Sequence, residues 1–155
     1  RLVHTAIRAL IYEVNETKPH LVLLACRDDW DPACGCQPHP EDLDTDPWFA
    51  RREVPCAIDY LPGTRCRLNN GYHIISVPPT SRPHSPNQTL RNLFSVEWAG
   101  TIVVVKRGRR HRAHAVHITP PEVSLINAVV ERFVHGELLP RDAPLTMCRW
   151  IQSAC

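Results

Sequence analysis

The stretch TIVVVKRGRRHRAHAVHITPPE, residues 101–122, decides how this chain is read. TIVVVKR is β-branched and apolar, which predicts a strand. GRRH is a turn, and RAHAVHI returns as a second strand. TPPE then opens a helix: Thr119 caps, Pro120 suits the first helical position, and Glu122 completes a capping box. Val123, Ile126, Val130, Phe133 and Val134 supply an apolar stripe, and Gly136 stops it. A hairpin over 101–118 followed by a C-terminal helix is therefore expected.

Working outward, LFSVEW (93–98) reads as a strand and AG (99–100) as a tight turn. YHIISV (72–77) is a short strand, and the polar, proline-rich 78–89 is a loop. At the other end Val3, Ile7, Leu10 and Val14 recur at helical spacing, with Ala6 and Ile11 widening the stripe, so a helix is predicted over about 2–15. Pro19 stops it. HLVLLA (20–25) has no polar alternation and reads as a buried strand. Periodicity is lost across 26–68, where prolines fall at 32, 38, 40, 47, 55 and 62 and five of the seven cysteines lie. The expectation is a single α+β domain over 1–155. Four to five mostly antiparallel strands pack with an N-terminal and a C-terminal helix, around a long irregular Cys-rich segment.

Hydrophobic content of 43% is that of a globular chain, and proline at 15 of 155 residues implies many loops. Charge is divided: residues 1–59 carry six basic and eleven acidic side chains, residues 60–155 twelve and five. Arginine outnumbers lysine sixteen to two, which favours bidentate contacts. No run of 18 apolar residues exists, so no membrane partner is expected. A first residue of Arg1 rather than methionine leads us to expect a piece, or a processed product, of a longer chain.

The segment 106–117 holds five cations and three histidines in twelve residues. On a strand His114 and His117 point to opposite faces, and His111 lies about 20 Å from His117, so the three cannot close one metal site. Lys106, Arg107, Arg109, Arg110 and Arg112 instead suit a basic ribbon that grips phosphates, with nucleic acid or an acidic protein as partner. The competing reading is a solvated tip that answers the acidic half of the same chain.

A thiolate-rich loop with little core of its own is what structural zinc stabilises, and Cys34, Cys36, His39, Cys56 and Cys66 are the candidate ligands. Disulfides are the alternative. NET (15–17) and NQT (87–89) are glycan acceptor sequons that suit a secreted chain, although seven cysteines leave one unpaired. If 145–152 is helical, Cys148 and Cys155 lie about 10 Å apart along it, beyond disulfide reach. The third reading is reduced cysteines packed as small apolar residues. The compartment stays open, with intracellular preferred and secreted as the alternative that the sequons and disulfides would suit.

Asp42, Asp44, Asp46 and Glu53 match calcium-loop spacing, but Pro47 stands where that loop needs glycine. No G-x-S-x-G elbow and no phosphate-binding glycine loop occur. CQPHPEDL (36–43), and more loosely RCRLNNGYH (65–73), resemble the Cys-x-x-His ends of zinc-stapled ββα nucleases. That resemblance implies a metal-dependent nuclease, although the family's Asn-Pro before the histidine is absent. The primary expectation is a zinc-stabilised, non-enzymatic module that binds an anionic partner. The alternatives are that nuclease and a secreted, disulfide-stabilised interaction domain.

Overall fold

The computed structural model describes residues 4–27, 54–76, 85–109, 115–136 and 150–151. Its centre is the β-branched run, which forms β5 (Ile102–Arg107). Ile102 and Val104 enter one apolar cluster, and Val103 and Val105 enter another on the opposite face. A strand buried on both sides carries an unbroken apolar run, as IVVV does.

β5 is flanked by β1 (His4–Tyr12) and β4 (Arg67–Ser76). β2 (His20–Arg27) pairs outside β1, and β3 (Val54–Tyr60) outside β4. The order is β2-β1-β5-β4-β3, and every pairing on this path is antiparallel. β6 (Ala115–Val116) returns antiparallel to β5. The short β7 (Trp150–Ile151) lies parallel to the start of β4, so these two residues are strand where a helix was considered. Among the described residues two α-helices complete an α+β architecture: α1 (Gln88–Phe94) and α2 (Val123–Val134).

α2 forms as the sequence dictates. Pro120–Glu122 make a 3-10 first turn behind a Thr119–Glu122 capping box, and Gly136 (φ 76°) follows the last turn. Leu125, Ile126, Val129, Val130 and Val134 pack onto Leu10, Tyr12, Tyr72, Ile74, Ile102 and Val104. Each large side chain so buried contributes about 1.5–3 kcal/mol. Inside this layer the Tyr12 hydroxyl donates to Asn127 Oδ1 at 2.6 Å, and burial pushes its phenol well above the ordinary value. The opposite cluster consists of strand residues: Ile7, Ala9, Ile11, Leu24, Ile75, Val103 and Val105.

Four expectations are corrected. The predicted N-terminal helix over 2–15 is β1. Ile7, Ala9 and Ile11 bury in one face while Leu10 and Tyr12 bury in the other. Burial on both faces fills consecutive positions, which satisfies helical spacing incidentally. HLVLLA is a strand as expected, but at the sheet edge, with Leu23 64% exposed. The segment 26–68 is not irregular throughout, since β3 and the start of β4 lie in it. Pro55 stands in an outer strand, where a missing N–H is tolerated. The turn between them is ordered: Leu61 N donates to Cys66 O at 2.9 Å, Thr64 Oγ1 donates to Leu61 O at 2.7 Å, and Gly63 takes φ 76°. Finally, LFSVEW is no strand. Leu93 and Phe94 end α1, Ser95 is left-handed at φ 53°, and only an isolated bridge joins Pro86 to Ala99.

Candidate anionic-partner interface

The structure describes three of the five cations of the 106–112 stretch, and it separates them. Lys106 lies on the α2 side of the sheet, and its Nζ pairs with Glu122 Oε1, the two side chains being 15% and 6% exposed. The other carboxylate oxygen of Glu122 accepts from Thr119 N at 2.7 Å and Thr119 Oγ1 at 2.9 Å. Burial pushes the Glu122 carboxyl up. The Lys106 hydrogen bond, the two Thr119 bonds and the Lys106 charge outweigh it and hold the group below the ordinary carboxylate value. One side chain therefore caps a helix and anchors that helix to β5.

Arg107 points to the opposite face, where its Nη1 donates to Asp59 Oδ1 at 2.8 Å. Asp59 sits on β3, so the contact reaches across β4. The buried Gly71, next to Tyr72 in β4, offers no side chain to block that path. The Arg107 carbonyl accepts from Asn70 Nδ2 at 3.0 Å. Arg107 is thus answered by the acidic half of the chain, and Lys106 by the helix cap.

Beyond these two pairs Gly108 is buried and Arg109 is exposed. Arg110, His111, Arg112 and His114 lie outside the described residues. The returning strand is tied to β1: Arg8 N donates to His117 Nδ1 at 3.0 Å, and Ile118 N donates to Arg8 O at 3.0 Å. With Nδ1 accepting, a neutral His117 ring carries its proton on Nε2. Trp98 is committed elsewhere. Its ring packs on Phe133, with centroids 6.0 Å apart, against the α2-side core.

Of the proposed zinc ligands, Cys34, Cys36 and His39 lie outside the described residues. Cys56 stands on β3 opposite Ile74, packs against the α2-side core, and has its thiol pushed up by burial. Cys66 closes the turn opposite Leu61. Neither is disulfide-bonded. Five residues of hairpin separate them, about 15 Å, whereas zinc–sulfur bonds are about 2.3 Å. One ion can use either of them, not both. Cys66 and His73, from the stretch that resembles a nuclease end, are separated by about 20 Å of strand. Among the described residues no three His, Cys, Asp or Glu side chains form a metal-ligating group. The calcium-spaced acids, Cys148 and Cys155 lie outside the described residues.

Sequence reasoning missed the polar node at Asn87, which is 1% exposed. Its Nδ2 donates to Tyr12 O at 2.9 Å and Gly100 O at 2.8 Å, while its Oδ1 accepts from Leu90 N at 3.0 Å as the cap of α1. Thr89 Oγ1 lies 2.8 Å from both Glu13 O and Glu16 O, latching α1 to the β1–β2 turn. These are the residues of the second sequon, and in the folded chain that amide is wholly engaged. An asparagine standing just before QTLRNL was the available signal, as an N-cap. Asn15 of the first sequon is exposed in the β1–β2 turn.

Comparison with known protein families, curated proteins and solved structures finds no match to this chain. Among the described residues no helix is long and apolar enough to cross a membrane.

Proposed function

We propose that this chain is a non-enzymatic module that binds nucleic acid or another polyanion through the turn that follows β5. The observation that carries this reading is the placement of Arg109. It is exposed directly beyond two internally paired cations, so Lys106 and Arg107 fix the base of the hairpin and Arg109, Arg110 and Arg112 do the gripping. Such contacts act by counterion release, so affinity falls steeply with salt.

Replacing Arg109, Arg110 and Arg112 together by alanine should weaken binding to duplex and single strand alike. It should flatten the salt slope by up to about three units. The melting temperature should hold if the turn acts in binding alone, since an exposed charge such as that of Arg109 contributes little to stability. Titration of wild type and triple variant at two salt concentrations measures this. An absence of polyanion affinity at low salt overturns the reading.

The proposal includes a structural zinc ion held by Cys34, Cys36 and His39 with one of Cys56 and Cys66. Protein purified under reducing conditions should carry about one zinc, and a chelator should lower its melting temperature. Cys56→Ser and Cys66→Ser should differ, with one of them losing zinc and the other retaining it. Metal analysis returning no zinc, with paired sulfurs by intact mass, favours the disulfide-stabilised secreted alternative.

A further inference from the structure

We infer that β2 pairs edge to edge with β2 of a second copy, antiparallel, about a two-fold axis at Leu23. The two outer strands of the sheet are built differently. β3 carries Pro55 and Asp59, devices that discourage strand addition. β2 reads HLVLLACR, with no proline and no ionised carboxylate or lysine along its length. Its inner edge pairs with β1 over eight residues, and its outer edge has no partner among the described residues. Leu23, at its centre, is 64% exposed, the most exposed large apolar side chain described. An apolar edge whose one arginine stands at its last residue is a template for another strand.

The sequence of β2 suits its own inverse. A two-fold axis perpendicular to the sheet pairs residues on the same face, so the register about Leu23 sets Leu23 against Leu23, Leu21 against Ala25 and Val22 against Leu24. No like charges stand opposite within this run. The ends are complementary as well: position 27, an arginine, falls alongside Pro19 of the other copy, next to the turn that carries Glu13 and Glu16. A parallel pairing would set like ends together. One strand pair buries less than the roughly 1,200 Å² of a standard interface, so the dimer is concentration-dependent. This association does not depend on the arginine turn.

Sedimentation over a concentration series tests it, together with peptide-level hydrogen exchange of residues 20–27. Wild type should shift from monomer to dimer, with protection of 20–27 rising in parallel. Leu23→Lys places two lysines opposite each other and should weaken dimerisation at least about tenfold. Leu23→Thr removes the apolar contact without adding charge and should weaken it by a smaller factor. If the lysine variant fails to fold, the threonine variant carries the test. A monomer at every concentration overturns the inference. So does a dimer indifferent to both substitutions, or a monomer whose residues 20–27 are already protected when dilute, which would mean that the edge is covered from within its own chain.

Discussion

Glu122→Ala should destabilise the fold by about 3–5 kcal/mol, the cost of leaving a buried charge without its partner. Lys106 Nζ would remain between β5 and α2 with little access to water, and Thr119 would lose both hydrogen bonds that it donates to the carboxylate. The pair is not indispensable as chemistry. Replacing both partners by apolar residues, Lys106→Met with Glu122→Leu, should recover most of the loss, because an apolar pair of similar volume needs no compensation. Urea unfolding at neutral pH measures all three proteins. A loss below about 1 kcal/mol in Glu122→Ala would mean that the pair behaves as a solvated one. The pH dependence has a fixed sign. The folded carboxyl lies below its ordinary value, so its contribution is present above the unfolded value of about 4.3 and fades as pH falls through the folded one. The gap between wild type and Glu122→Gln should therefore close in acid.

Asn87→Ala should cost about 3–4 kcal/mol. About 1 kcal/mol is the lost cap of α1, and the rest comes from two buried carbonyls, those of Tyr12 and Gly100, each losing the amide donor that Asn87 supplies. Asn87→Asp separates these contributions. It keeps the oxygen that caps Leu90 but aims a carboxylate at two carbonyl oxygens. That environment raises the folded pKa of the new group, so the variant should be weakest at neutral pH. It should regain stability as pH falls from the folded value toward the unfolded one. Thermal melts at pH 7 and pH 4 decide it. Equal losses at both would show that the amide donors contribute nothing.

The parts legible in the sequence were those with local signals. β5 announced itself by consecutive β-branched residues, and α2 by Thr119, Pro120, Glu122 and Gly136. β1 was misread because its neighbours on both faces, which make its apolar pattern continuous, come from distant segments. β3 was hidden by Pro55, which breaks an inner strand but not an outer one. At the candidate site the capping role of Glu122 was visible, and its ion pair was not. Lys106 is brought to it only by the packing of α2 on β5, and Asp59 reaches Arg107 only because β3 and β5 flank β4. The Asn87 node was read as a modification signal because the asparagine and threonine of a sequon are also good capping and latching residues.

The strand order differs from the chain order, and this bears on biosynthesis. β1–β2 and β3–β4 are hairpins that each close as soon as their own residues emerge. β5 is the strand that joins them, pairing Leu10 with Val104 and Ile74 with Val104 from its two edges. Until the ribosome delivers it, both hairpins carry the edges meant for β5 open to other chains, and their apolar faces lack α2. The chain thus folds by a late, long-range closure, a slow topology that is exposed to mispairing. Truncations that end before β5 should accumulate as aggregates, and slowing translation should not rescue them, because the missing partner is the centre of the sheet.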